Sequence, residues 1–411
     1  MSTRSVIVWN TGSQIVGKIA TTGSIFLVNI FVARLYGVAA YGEFTKILTY
    51  IAPFYLLSDF GLNAVFLQKK YPWESLVFLR LFLSLLITFF ALALLNFLPQ
   101  GTMSGYTQFV RFGIVIFLPA IIFQGLLTSA NAFFQQKLRY DLSTVALIAG
   151  STVFLLLSLI ALRQTSYTVG ITGIVSALLI GTIITGISAI VAAKKLKGTF
   201  VIFLNAKEML TLLSQSIPLA LTLIFNLIYF RIDNFILILT RPTSEVGIYG
   251  LAYKIFETVL VAPTFFMNAT YPLLVQKVGT PAFINFLRKT GSVLFLASLA
   301  SVLVFWFAAP LLALIRSDFA GSVAALRVLI LGFPFFFLSS GAMWALIAQR
   351  KQGVLVAIYG FSMLLNIALN LWFIPNYGYM AAAWITIISE GLVLLLSGFV
   401  LRKELFSKKL S

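Results

Sequence analysis

The chain has 411 residues, 60% of them hydrophobic and 10% charged, with a mean hydropathy of +1.03. That composition excludes a soluble globular domain, and the absence of Cys and His removes disulfides, thiol nucleophiles, imidazole bases and most zinc sites. The 29 Lys and Arg against 11 Asp and Glu give a net charge of +18, which in so apolar a chain points to basic cytoplasmic loops rather than nucleic acid.

Apolar runs of about 20 residues, enough to cross a bilayer's hydrocarbon core, recur along the whole chain. They predict spans near 11–34, 45–67, 76–97, 109–134, 143–162 and 169–193. A second set follows near 213–239, 249–275, 290–315, 321–348, 353–374 and 378–401. The first run, preceded by Arg4, is too long and polar for the h-region of a signal peptide and is expected to remain as a span. The expectation is an all-α polytopic membrane protein of twelve transmembrane helices. Residues 1–193 form an N-terminal six-helix bundle, 194–212 a basic cytoplasmic linker, and 213–411 a C-terminal six-helix bundle with a short basic tail.

The loops fix the expected orientation. Arg4, Lys69, Lys70, Arg80, Lys137, Arg139 and the basic residues of 194–207, 277–289, 350–351 and 402–409 give nineteen cations on one side. Arg34, Lys46, Arg111, Arg163, Arg241 and Arg316 give six on the other. The positive-inside rule places the richer side, with both termini, in the cytoplasm. Lys18, Arg231, Lys254 and Arg327 fall within spans.

A shift of 208 residues places Tyr41-Gly42 on Tyr249-Gly250, Lys46 on Lys254, Gln68-Lys69 on Gln276-Lys277 and Val38 on Val246. Six spans per half is an even number, so duplicated halves keep one orientation and are related by an axis along the membrane normal. The expected architecture is two pseudo-symmetric bundles around a central cavity, rocking to give alternating access.

Polar side chains in spans face other helices or water. At 100° per residue, Thr11, Gln14, Lys18, Thr21, Thr22 and Asn29 share one face of the first span. Thr222, Asn226, Tyr229 and Asp233 share a face of the seventh, while Arg231 points well away from Asn226 and Asp233. Lys254 and Glu257 lie three residues apart on the eighth and can pair locally. Gln14, Thr22, Asn29, Thr222, Asn226 and Tyr229 are read as polar cavity lining. Lys18, Arg231 and Lys254, at different depths, suit an anionic group that must cross. Asp59, Asp233, Glu257 and Glu390 are the span acids available for ion coupling or charge balance, with Glu390 read as a partner for a cation. Lys46 is read as interfacial with a snorkelling stem, and Arg327, within reach of the outer surface, as structural.

Four stretches, VARLYGVAAYGEF (32–44), SDFGLNAVFLQ (58–68), RIDNFILILTRPTSEVGIYGLAYKIFE (231–257) and IPNYGYMAAAWITIISE (374–390), carry a resemblance. The chain resembles the polysaccharide-export branch of the multidrug/oligosaccharidyl-lipid/polysaccharide (MOP) exporter superfamily, and within it Wzx-type O-antigen or repeat-unit flippases. The resemblance implies a cationic, V-shaped cavity and an oligosaccharide substrate on undecaprenyl pyrophosphate, moved across a bacterial inner membrane. It matches Lys18, Arg231 and Lys254 to the cavity cations by helix and depth. It implies no cofactor beyond H+ or Na+ coupling. The implied partners are the lipid-linked oligosaccharide, membrane lipids, and a polysaccharide polymerase with its chain-length regulator, and no nucleic acid. A drug or cation antiporter of the same superfamily is the competing function; it favours an acidic cavity, whereas the span charges here do not lean acidic. An enzyme such as an O-antigen polymerase or ligase is disfavoured by the short outer loops, the lack of histidine and the lack of a pair of catalytic groups.

Overall fold

The computed structural model describes residues 3–69, 71–101, 103–197 and 206–407; the side chains of 3–8, 11, 69, 222, 226 and 403–407 lie outside the described set. Among the described residues the secondary structure is helical, with no strand.

The first helix, α1 (Thr3–Leu57), has 55 residues and the last, α15 (Gln352–Ser407), has 56. At 1.5 Å per residue each is about 80 Å long, well over twice the ~30 Å hydrocarbon core. Each is broken at one glycine, Gly37 (φ 81°, ψ −178°) or Gly378 (φ 64°, ψ −149°), in backbone that glycine alone adopts at little cost. The expected loops at these places are therefore single-residue turns between two spans in tandem.

Between them run α2 (Leu62–Lys69), α3 (Trp73–Phe97), α4 (Gln108–Phe117), α5 (Ala120–Lys137), α6 (Tyr140–Ala161), α7 (Tyr167–Lys197) and α8 (Ala206–Thr240). They are followed by α9 (Thr243–Val259), α10 (Val261–Lys277), α11 (Pro281–Ala308), α12 (Leu311–Ile315), a 3-10 turn at Ser317–Phe319, α13 (Ala320–Ile330) and α14 (Phe333–Ala348). Pro119 and Pro310 mark two of the breaks inside spans, where the ring removes a backbone donor. Among the described residues nine helical runs are long and apolar enough to cross a membrane, and the pair Ser317–Ile330 and Phe333–Ala348, bent by 40°, makes a tenth. Dividing α1 and α15 at their glycines brings the number to the expected twelve.

The chain divides into two compact units, Met1–Leu227 and Ile228–Ser411, with the division inside α8. In the first unit a cluster that includes Phe66, Trp73, Leu76, Phe134, Ala189 and Leu212 forms an apolar core. Leu212 ties the first part of α8 to it, and Tyr71 donates a hydrogen bond to Gln215 on the same helix at 3.2 Å. The turn at Phe60 and Gly61 is left-handed (φ 49° and 70°), and a Cβ on Gly61 would lie 2.5 Å from the Leu219 Cβ. In the second unit Phe256 stacks on Phe333 at 5.4 Å, and Tyr229, Ile358, Met363 and Val393 form a buried cluster. Residues 198–205 of the expected linker lie outside the described residues; Lys194–Lys197 end α7, and 206–212 begin α8.

Candidate functional site

Two residues apart on a helix means about 200° around it. Arg231 and Asp233 on α8 accordingly reach different neighbours in the second unit. The Arg231 guanidinium pairs with Glu257 on α9 at 2.5 Å and lies over the Tyr253 ring, 5.9 Å from its centroid. Lys254, one turn before Glu257, approaches the same carboxylate at 3.5 Å. These side chains are 26% (Arg231), 36% (Glu257) and 34% (Lys254) exposed, so the cluster reaches the surface. Two cations share this one carboxylate in direct contact. The expected local pair of Lys254 and Glu257 is present.

Asp233 is buried. It accepts a hydrogen bond from the Tyr249 hydroxyl at 2.6 Å and from the Asn234 backbone N–H at 2.7 Å. Among the described residues no cation forms a salt bridge with it, and Glu257 is the carboxylate in contact with Arg231; the Asp233 charge still acts on Arg231 through space. Glu390 differs from expectation. It is 2% exposed and, instead of a cation, it meets hydroxyls: Tyr229 donates to it at 3.0 Å and Ser339 donates to its other oxygen. Tyr229 is thereby a buried core residue and not cavity lining, because its phenol is directed at Glu390 and its ring packs edge-on against Tyr359. The side chains of Thr222 and Asn226 lie outside the described residues.

In the first unit the polar face of α1 grades from exposed to buried. Gln14 and Lys18 are exposed, Thr22 is half-buried and Asn29 is 4% exposed. Among the described residues Lys18 stands in no ion pair. Asn29 is corrected from lining to core: its amide donates to the Ile25 carbonyl at 2.7 Å and its oxygen accepts from the Tyr41 hydroxyl at 3.0 Å. Tyr41 and Tyr249, matched by the 208-residue shift, thus each bond a polar residue on the preceding span.

Asp59 is engaged by Arg80 at 3.1 Å. Arg80, counted above as a loop cation, is fully buried on α3. Its guanidinium donates to the Ser58 and Asp59 carbonyls, to Ser129 Oγ and to Asn63 Oδ1, so it ties the turn after α1 to α2, α3 and α5. Lys46, expected at the interface, is likewise fully buried and donates to the Gly105 carbonyl at 2.7 Å. Arg80 stands in the apolar run LVFLRLFLS, which was the available signal; nothing in the sequence pointed to Ser129 or Ser339 as its own or Glu390's partner.

The family model described as polysaccharide biosynthesis protein matches residues 7–278, and the MatE model matches residues 218–372. No curated protein sequence matches the chain. Among solved structures, the lipid II flippase MurJ in an inward closed conformation superposes with a TM-score of 0.77 at 16% identity, covering 96% of this chain and 87% of that one. An inward-facing multidrug resistance MATE family transporter gives 0.74 at 15% identity, covering 98% and 99%. A MOP superfamily transporter from Pyrococcus furiosus gives 0.61 at 16% identity, covering 98% and 96%. These likenesses show a shared twelve-span fold. With the family model matched over most of its length, the chain belongs to the polysaccharide biosynthesis protein family, within the MOP exporter superfamily.

Proposed function

We propose that this protein flips or exports an oligosaccharide repeat unit linked to undecaprenyl pyrophosphate across the bacterial inner membrane, for surface polysaccharide such as O-antigen, capsule or exopolysaccharide. The observation that carries the reading is the cluster of Arg231, Lys254 and Glu257. It has two cations to one carboxylate, on spans, and it is partly exposed. A pyrophosphate moved through hydrocarbon alone meets a prohibitive desolvation cost, which a hydrated cationic path lowers while the lipid tail stays in the bilayer. Glu257 shares the charge of both cations and keeps the anion from binding too tightly to leave. Lys18, exposed and without an ion pair among the described residues, supplies a further cation from the first unit. Alternating access of the two units around a central cavity is the proposed route, and a polymerase and chain-length regulator are the proposed downstream partners.

The test is complementation of cells deleted for this protein, with the lipid-linked intermediate assayed by leaflet at matched membrane abundance. The reading expects deletion to trap the intermediate on the cytoplasmic side, and Lys18→Ala and Arg231→Ala to reproduce the trap. The match of the MatE model to residues 218–372 favours a second reading, an antiporter of drugs or cations. That reading expects unchanged polysaccharide and altered sensitivity to small organic cations.

A further inference from the structure

Arg327 lies on α13, seven residues after Ala320, and so about 10 Å along the helix from the turn at Ser317–Phe319. Ala320, Ala324, Arg327 and Leu331 fall at i, i+4, i+7 and i+11, and they trace one face of the helix that reaches the surface. The guanidinium lies over the ring of Trp306 on α11, 5.1 Å from its centroid. Its Nε is buried and has no hydrogen-bond partner, and among the described residues no carboxylate pairs with it. The surroundings of Trp306 are apolar and exposed: Leu303 is 60%, Val304 60% and Phe307 74% exposed. A surface of that kind on a spanning helix faces acyl chains. The span Pro281–Ile315 has 35 residues and overruns the ~30 Å hydrocarbon core by about 10 Å at each end, so Trp306, about 13 Å from the Ile315 end, falls near the boundary of the headgroups where Trp concentrates.

A cation placed there has no counter-charge among the described residues, so the neighbouring medium is the source of one. The group available at that depth is a lipid phosphate. The planar fork of Arg matches phosphate oxygens two at a time, while its face remains on the Trp ring. We propose that Arg327 and Trp306 form a binding site for the phosphate of a bilayer phospholipid, in the leaflet at the Ser317–Phe319 end of the spans. Arg327 supplies the charge, and Trp306, Leu303 and Phe307 the apolar bed for the first part of the acyl chains.

The experiment uses the full chain in phosphatidylcholine nanodiscs containing a small fraction of phosphatidylglycerol that carries a photoreactive diazirine beside its phosphate. Labelling of the peptides holding residues 303–307 and 324–331 is measured as a fraction of all labelling on the chain, which corrects for changes in folding. The expected result is preferential labelling of both peptides, lowered several-fold by Arg327→Gln and by Trp306→Leu, with part retained in Arg327→Lys. Excess unlabelled phosphatidylglycerol competes, and inorganic phosphate does not. Labelling unchanged by Arg327→Gln overturns the site and leaves a snorkelling arginine satisfied by water. Competition by inorganic phosphate overturns the lipid assignment in favour of a water-facing anion site. Competition by a polyprenyl pyrophosphate alone assigns the site to the transported substrate instead.

Discussion

The charges of the second unit are sorted by helical angle. Arg231 meets Glu257 and Asp233 meets Tyr249, although the two are two positions apart on α8. Glu257 is the residue whose neutralisation is most informative. Glu257→Gln leaves two cations with no carboxylate between them, so the proposed anionic, lipid-linked substrate is expected to bind more tightly and be released more slowly. Steady-state export should fall while the amount of substrate retained on purified protein rises; a fall in both places Glu257 in folding alone. Arg231→Ala is expected to lower both, with membrane abundance preserved. Arg80 belongs to a different class, because its guanidinium is buried and its loss removes the donor it supplies to Ser129 Oγ, Asn63 Oδ1, the Ser58 carbonyl and the Asp59 carboxylate. Arg80→Ala should cost about 3 kcal/mol, the lower end for breaking a buried pair since Asp59 is 35% exposed. The check is thermal unfolding in detergent, in which Arg80→Lys is expected to recover little, because an ammonium with three donors does not span five acceptors in fixed directions.

Among the elements, the two longest helices depend on a single glycine each. At Gly378 the backbone is left-handed, and a Cβ would run into the Glu245 carboxylate, which accepts the Tyr379 N–H at 3.2 Å and pairs with Arg241 at 2.5 Å. Gly378→Val should therefore both strain the turn, by about 1–3 kcal/mol for a non-glycine residue in that region, and open the Arg241–Glu245 clasp. Faster proteolysis at 374–380 than in the native chain is the expected signature, and equal rates would show that the turn tolerates a side chain. Gly61 is the counterpart in the first unit, where the left-handed turn lets α8 approach at Leu219. Gly61→Leu is expected to lower thermal stability more than the same change at Gly12, around which there is open space.

For the whole molecule, the distribution of cations predicts orientation, and the absence of cysteine makes it directly testable. Gln164→Cys, between α6 and α7, should react with a membrane-impermeant maleimide in intact cells. Gln352→Cys, at the start of α15, should react only after permeabilisation. The reverse pattern would place both termini outside and invert the direction of transport proposed here.

The number of spans and the positions of most of them were determined by the sequence, because a bilayer requires about 20 apolar residues per crossing and the runs announce themselves. The Lys254–Glu257 pair was legible for a similar reason: three residues apart on a helix, the two meet whatever else the chain does. The breaks near Gly37 and Gly378 were legible as span boundaries; that each shrinks to a turn at a single glycine, with helix on both sides, was not. The partners of the buried charges were decided by tertiary structure alone. Periodicity gives the angle at which Asn29, Tyr229, Asp233 or Glu390 leaves its own helix, but not what stands opposite. Tyr41, Glu390, Tyr249 and Ser339 come from positions 12, 161, 16 and 51 residues away, respectively, and their hydroxyls or carboxylate turned expected lining and charge-balance residues into satisfied core. A polar residue in a span must be answered by water, by lipid or by another helix, and which of these answers it depends on packing across long sequence separations.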